Sequence, residues 1–274
     1  MSKPVLYTFG ASVWAAAPEL ALIELGYTDD KIIKKVVNLV EGENFAPSFL
    51  NINPKGTLPT LEADGRAYTS TAEVTSYLVK HAPRPAAPGT PFIAKLHDDK
   101  YDPNFPLLLA RNDAELEAKA SGFPFTFVQN RQNALEKHSS APEGADHKEF
   151  YDTKVSGNGD ILAVYQDKAS EEQKNGFFET STKHWEVLNA FILDELPGLL
   201  PDDGFLGGEK PGEDDFHLGA WLARIAFVAG GGDENGVTAM EKELGEVVPQ
   251  KVARYWAAWS ERQSWKTVYA SGLH

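Results

Sequence analysis

Residues 51–79, NINPKGTLPTLEADGRAYTSTAEVTSYLV, carry in immediate succession the signals of a strand, a tight turn, a return strand and a helix. The dipeptide Asp64-Gly65 is a strong signal for a two-residue hairpin turn. Ser70 precedes Glu73 by three residues, which is the spacing of a capping box at the start of a helix. This stretch therefore predicts a β-hairpin that is followed directly by a capped helix.

Pro59 stands at the point where the first strand of this hairpin should begin. Proline has no N–H to donate to a sheet, so it is confined to the first residue of a strand, to an edge, or to backbone that serves another purpose. If the third possibility holds, the main chain at Leu58-Pro59 bonds to something other than the neighbouring strands.

The segments before the hairpin alternate between strand and helix. Strands are expected at Val5–Phe9 and near Lys35–Leu39, with a helix between them that ends near Leu25. A short helix is expected at Pro47–Leu50, just before the hairpin. A βαβ unit needs parallel strands and a right-handed crossover, so residues 1–80 predict a small mixed sheet with helices on both faces.

The rest of the chain reads as a linker and an all-helical domain. Residues 81–91, HAPRPAAPGTP, are the best domain boundary, and we place the linker at 81–94. Apolar residues at helical spacing predict an all-α domain over 95–274. A polar, turn-rich insertion near 138–176 predicts a long surface excursion.

Composition excludes several classes of function. The 26 basic residues are outnumbered by 40 acidic ones, and the net charge of −14 argues against nucleic acid or an anionic membrane surface as a partner. No cysteine is present, which removes disulfides, thiolate metal sites and a protein thiol nucleophile. The seven histidines lack metal-site spacing, so no metal is expected. The sequence shows neither a membrane span nor a signal peptide, so a cytoplasmic location is expected.

These features together resemble the cytosolic glutathione transferases, including several long fungal ones. Residues 5–26, VLYTFGASVWAAAPELALIELG, are similar to the first strand and helix of the serine-type, theta- and phi-like classes. Ser12 follows Tyr7 by five residues, which is the spacing of those classes. NINPKGTLPTLEADG is similar to the family's N-P-x-G-x-hydrophobic-P element, whose proline is cis. The resemblance implies a thioredoxin-like N-terminal domain plus an all-α C-terminal domain, in which Leu58 before Pro59 pairs through its main chain with the cysteinyl backbone of glutathione.

The resemblance also implies that Ser12 is the catalytic residue. A thiol with a pKa of about 8.5 is little ionised at neutral pH, and a hydroxyl donor near a helix N-terminus stabilises the thiolate. Two alternatives stay open: Ser12 can be simply an N-cap, and Tyr7 can be the donor, since other classes use a tyrosine in this strand. Trp14 can line the electrophile pocket or pack between the domains.

The glutathione contacts depart from the family pattern at two places. Ser70 and Thr71 occupy the positions of the family's Glu-Ser pair, and their hydroxyls at a helix N-terminus suit the γ-glutamyl carboxylate. Asn44 stands where many relatives begin a His-Lys pair for the glycyl carboxylate, and Lys55 is the expected substitute for that contact. What neutralises the γ-glutamyl ammonium stays open.

The second substrate leaves a weaker signal. Phe123, Phe125 and Phe127 alternate where the family's acceptor pocket lies, although a core stripe explains them equally well. We expect glutathione transfer to small hydrophobic, xenobiotic electrophiles, a detoxification reaction, with glutathione-dependent reduction of organic hydroperoxides as a second activity. A homodimer is also expected. The alternative is a non-catalytic protein that uses the same fold to bind ligands or to regulate a partner.

Overall fold

A computed structural model describes residues 3–274 and contains one four-stranded mixed sheet. The strand order is β2-β1-β3-β4, with β1 parallel to β2 and antiparallel to β3, which is in turn antiparallel to β4. The thioredoxin-like arrangement that the sequence predicts is therefore confirmed. The strands are β1 Val5–Thr8, β2 Ile33–Val36, β3 Thr60–Ala63 and β4 Arg66–Tyr68.

Three helices accompany the sheet. Helix α1, Val13–Glu24, connects β1 to β2, and α3, Thr71–Lys80, follows β4. A 3₁₀ turn at Glu43–Phe45 leads into the short helix α2, Pro47–Leu50. Leu6 of β1 packs in the large core with α1 and α3, whereas Tyr7 packs against α2, because successive side chains of a strand point to opposite faces.

The hairpin and the proline junction have the predicted form. Asp64 and Gly65 both have positive φ angles, 52° and 77°, as a type I′ turn requires. The Leu58-Pro59 bond is cis, which confirms the prediction.

The chain after α3 is helical, as predicted. Residues 81–90 are neither helix nor strand, and α4 begins at Pro91, inside the predicted linker 81–94. One large core contains residues from both sides of this linker, so the domain limits at 80 and 95 stay a prediction. The helices are α4 Pro91–Leu96, α5 Phe105–Leu108, α6 Asp113–Ala120, α7 Phe123–Ser139, α8 Lys148–Tyr165, α9 Glu171–Ala190, α10 Leu196–Leu199, α11 Glu213–Val228, α12 Gly236–Leu244, α13 Gln250–Ser260 and α14 Gln263–Val268.

The polar region at 138–176 is mostly helical, where its turn-forming residues suggested irregular structure, and its standing as a long surface insertion stays a prediction. Its helix α8 packs along α7, and Asn158 donates hydrogen bonds from Nδ2 to the Val128 carbonyl and to Gln132 Oε1, both at 2.9 Å. The polar side chains join two helices here, so they do not mark irregular structure. We call residues 123–165, which contain α7 and α8, the helical insertion.

The helical insertion docks on the α2 side of the N-terminal domain. Phe45 and Leu50 share a core with Leu135 and Tyr151. The Tyr151 hydroxyl is buried and donates to the Phe45 carbonyl at 2.7 Å. The insertion therefore fixes the segment that leads towards the Leu58-Pro59 junction.

A buried hydrogen-bond chain joins α3 to the helical domain on the other face. His217 of α11 contacts Thr75 Oγ1 through Nε2 and His97 Nε2 through Nδ1, each at 2.8 Å. Thr75 lies 3.2 Å from Glu213 Oε1, and Glu213 Oε2 accepts from the Gly89 N–H at 2.8 Å. The polar groups at the contact between α3 and α11 are thus hydrogen-bonded to one another.

Asp215, at the start of α11, organises the entry to that helix. Its buried carboxylate accepts from the N–H groups of Leu206, Gly207 and Gly212 and from the Tyr255 hydroxyl, all at 2.8 Å. These four donors replace the hydrogen bonds to water that the carboxylate loses when it is buried. This arrangement holds the loop, α11 and α13 together.

Asp215→Ala should lower the free energy of unfolding by about 3–5 kcal/mol, because it leaves four buried donors without an acceptor. Urea unfolding at neutral pH measures the change. Asp203→Ala is the matched control, since that side chain is 87% exposed, and we expect a change within about 0.5 kcal/mol. Equal losses for the two variants would contradict the role of Asp215.

His97 and His217 should make the protein less stable in mild acid. Burial lowers the pKa of His97 to about 4 and that of His217 well below its ordinary value. Because histidine in the unfolded chain titrates near pH 6.5, the unfolded state binds more protons between about pH 6.5 and 4. The free energy of unfolding should therefore fall as the pH falls through this window, by about 1.4 kcal/mol per histidine one unit below 6.5. Urea unfolding at pH 7.5 and 5.5 should show a smaller difference for His97→Gln than for the wild type, and an unchanged difference would refute the assignment.

Candidate functional site

Ser12 caps the N-terminus of α1, directly after β1. Its N–H donates to the Phe9 carbonyl at 2.9 Å, and its Oγ accepts from the Ala15 N–H at 3.4 Å. The side chain is half-buried, and its hydroxyl proton has no acceptor within residues 3–274. The structure thus shows the N-cap that was one of the alternatives, and this cap leaves the hydroxyl able to donate to a ligand.

Arg224 of α11 holds the loop that carries Ser12. Its Nη2 donates to the Ala11 carbonyl at 3.0 Å, and its Nε has no partner in the described part of the chain. Burial lowers the pKa of Arg224 to about 10, so the guanidinium stays charged at neutral pH. Sequence reasoning missed this residue, although an arginine within the apolar run LGAWLARIAF is a usable signal.

Tyr7 uses its hydroxyl elsewhere. The phenol donates to Glu62 Oε2 at 2.6 Å, and its ring contacts Phe49 edge-on at 5.7 Å. Burial, reinforced by Glu62, raises the pKa of Tyr7 to about 12. A hydroxyl that already donates to a carboxylate is a poor donor to a ligand, so the geometry favours Ser12 over Tyr7.

Leu58 presents unpaired main chain beside the cis bond to Pro59. Its side chain is buried with Tyr7, Val37 and Phe49, while its N–H and C=O have no hydrogen-bond partner among the described residues. Because unpaired backbone groups in a folded protein need a partner, this residue can take an extended peptide. Leu58 is therefore suited to the role that the sequence predicts for it.

The N-terminus of α3 keeps one hydroxyl and two N–H groups available. Ser70 Oγ accepts from the Glu73 N–H at 3.2 Å and donates to Glu73 Oε2 at 3.0 Å. Glu73 reaches back to the N–H of Thr69 at 3.1 Å, one residue earlier than a standard capping box. Thr71 Oγ1 and the N–H groups of Thr71 and Ala72 have no partner in the described chain, so an anion can bind there.

Asn44 and Lys55 occupy different environments. Asn44 is only 2% exposed, and its Nδ2 donates to the Gly56 carbonyl at 2.7 Å. It therefore supports the loop before Leu58 from behind, and direct contact with a ligand stays a prediction. Lys55 is exposed on that loop.

Trp14 packs between the two parts of the chain. Its ring packs against that of His97, with centroids 4.0 Å apart and planes tilted by 35°. This observation supports the domain-interface alternative, while a role in the electrophile pocket stays a prediction.

The three phenylalanines of α7 lie in two different environments. Phe125 packs against Tyr165 in the core of the helical insertion, at a centroid distance of 6.5 Å. Phe123 is 50% exposed and stacks on half-buried Phe127 at 5.7 Å. Only Phe123 and Phe127 remain candidates for an acceptor pocket.

Within residues 3–274, no group of three or more metal-ligating side chains comes together. No helix in that range has both the length and the apolar character needed to cross a membrane.

Comparison with known proteins identifies the N-terminal domain. Residues 6–86 match the family model described as glutathione S-transferase, N-terminal domain. Glutathione S-transferase D7 of Drosophila melanogaster is 30% identical over 83 residues, which cover 30% of this chain and 36% of that protein. The match thus spans about a third of this relative's length.

Solved structures are similar over nearly the whole chain. Beta-etherase LigF from Sphingobium sp. strain SYK-6 has a TM-score of 0.54 at 16% identity, covering 98% of this chain and 100% of that one. Human glutathione-S-transferase T1-1 in its apo form has a TM-score of 0.51 at 12% identity, covering 98% and 88%. Identities this low show a shared fold, and the family-model match adds that residues 6–86 are similar to the N-terminal domain of the glutathione S-transferases.

Proposed function

We propose that the protein is a glutathione transferase that conjugates glutathione to small hydrophobic electrophiles. The observation that carries this proposal is the Ser12 hydroxyl, which has a proton to donate at the N-terminus of α1. Unpaired backbone at Leu58 and an open helix N-terminus at Thr71 supply the means to hold a peptide nearby.

Glutathione would bind as an additional extended segment. The N–H and C=O of Leu58 pair with the cysteinyl residue, and the first turn of α3 binds the γ-glutamyl carboxylate through the Thr71 hydroxyl and free N–H groups. Ser70 stabilises this helix end through its hydrogen bonds with Glu73, and a direct contact of Ser70 with glutathione stays a prediction.

The chemical step is attack by the thiolate. The cysteinyl thiol loses its proton to solvent, and the Ser12 hydroxyl donates to the sulfur while the N-terminal end of α1 stabilises its negative charge. With an aryl halide, the sulfur bonds to the ring carbon and halide leaves with the bonding electron pair; with an isothiocyanate, the sulfur adds to the central carbon and the nitrogen takes a proton from solvent. Arg224 acts as a positioning residue, because it fixes the Ala11 carbonyl next to Ser12.

A panel of aryl halides, isothiocyanates and organic hydroperoxides, assayed with glutathione, tests the activity and separates conjugation from hydroperoxide reduction. Turnover of the first two classes supports the proposal. Tight glutathione binding without any turnover would favour the non-catalytic alternative, a ligand-binding or regulatory protein. A cytoplasmic location and a role in detoxification belong to the same proposal.

Ser12→Ala should raise the pKa of bound glutathione by about one to two units, because a hydrogen bond to a charged sulfur contributes about 1.5–3 kcal/mol. Turnover near neutral pH should fall about ten- to a hundredfold if thiolate attack limits the rate. Thiolate absorbance, titrated against pH, measures the shift.

Two control variants separate the donor role of Ser12 from its N-cap. Ser12→Gly removes the hydroxyl but costs only a few tenths of a kcal/mol in capping, so it should show the same thiolate shift as Ser12→Ala. Tyr7→Phe should leave the thiolate pKa unchanged. A shift in Tyr7→Phe alone would transfer the role to Tyr7.

We also propose that the protein is a homodimer, as is typical of the family. Exposed Phe123 supplies apolar surface of the kind that interfaces cover. Sedimentation velocity at micromolar concentration should give about 60 kDa, twice the 30.0 kDa of one chain. A single species of one-chain mass would refute this part of the proposal.

A further inference from the structure

Arg131 of α7 is a cation that has no acidic partner among the described residues. Its guanidinium carbon lies 4.9 Å from the ring centroid of Phe45 and 5.2 Å from that of Phe127. No hydrogen bond or ion pair to Arg131 occurs within residues 3–274, and burial between these rings lowers its pKa to about 10. The side chain is therefore charged at neutral pH, and a partly buried charge of this kind is stabilised by an anion.

Short contacts connect Arg131 to the proposed glutathione segment. Phe45, under the guanidinium, follows Asn44, whose Nδ2 donates to the Gly56 carbonyl at 2.7 Å. Gly56 precedes Leu58 by two residues, and a Cβ built on it would lie 2.9 Å from Phe150 of the helical insertion. The insertion thus lies directly behind the loop that presents Leu58.

The order of strands sets the direction of a bound tripeptide. The γ-glutamyl end is expected at α3, which follows the edge strand β4. The other end then leaves Leu58 towards the opposite edge of the sheet, where β2 is followed by the Glu43–Phe45 turn. Each extended residue spans about 3.3–3.6 Å, so the glycyl residue reaches only the neighbourhood of the loop and this turn.

We propose that Arg131 binds the glycyl carboxylate of glutathione, so that the helical insertion completes a site otherwise built by the N-terminal domain. This inference rests on the proposed function. The two rings lie within 5.2 Å of the guanidinium carbon, a distance at which cation–π attraction favours its position, and its N–H groups stay free to donate to a carboxylate. Lys55, exposed on the same loop, is the competing cation.

The test compares three ligands by calorimetry: glutathione, γ-glutamylcysteine, which lacks the glycine, and glutathione esterified at the glycyl carboxylate. The wild-type protein should bind glutathione about ten- to a hundredfold more tightly than the other two, as expected for one charge-assisted contact. Equal affinities for glutathione and its ester would overturn the inference without any variant.

Arg131→Met keeps an unbranched apolar stem against Phe45 and Phe127 but removes the charge. It should bind glutathione as weakly as the ester and leave the affinity for γ-glutamylcysteine unchanged. Arg131→Lys should keep part of the preference. A uniform loss for all three ligands would overturn the inference, since it would show a structural effect.

Lys55→Met is the matched control and should keep the full preference for glutathione. Loss of the preference in Lys55→Met, with its retention in Arg131→Met, would assign the contact to Lys55 and overturn the inference. A wild-type protein that binds none of the three ligands would refute the proposed function itself. A wild-type protein that binds all three equally well would refute only the role of Arg131.

Discussion

The close packing of α1 between the sheet and α11 is the constraint on which the rest of the structure depends. Helix α1 contributes Ala16, Ala17 and Ala21 to the large core, and α11 contributes Ala220 and Ala223. Small side chains let two helix backbones approach closely, and α1 packs against both α11 and α3. The N-terminus of α1, with Ser12, is thereby held at the junction of the sheet and the helical domain, where Arg224 reaches its loop.

Local signals made the N-terminal domain predictable. The turn at Asp64-Gly65 needs residues that tolerate positive φ. The Ser70 side chain caps the Glu73 N–H three residues later. Both features involve only neighbouring residues, so the sequence predicts them without any distant contact. The resemblance to the glutathione transferases added the cis bond at Leu58-Pro59, which composition and periodicity do not indicate. The sequence alone left Ser12 with two roles, and the structure shows that a cap and a free donor proton coexist.

The helical insertion and the long-range polar contacts were not predictable, because their meaning depends on partners far along the chain. Asn158 has the composition of a surface residue, but its amide lies between α7 and α8, and the buried Tyr151 donates to the carbonyl of Phe45, 106 residues away. Arg131 belongs to the same group, since only the structure shows that two aromatic rings lie beside it and that no acid of residues 3–274 pairs with it. Charge and polarity in a sequence do not distinguish solvent from a specific partner.

Because the helical insertion docks on the N-terminal domain, the helical part of the chain packs against that domain on both faces of the sheet. Helix α11 covers the side of α1, and α7 and α8 cover the side of α2. A single covalent connection at residues 81–90 could serve as a hinge if only one of these contacts existed. With both in place, rotation of one part against the other would have to break a packed interface. The residues on either side of the linker therefore keep one fixed orientation, and the candidate site does not depend on a hinge for its geometry.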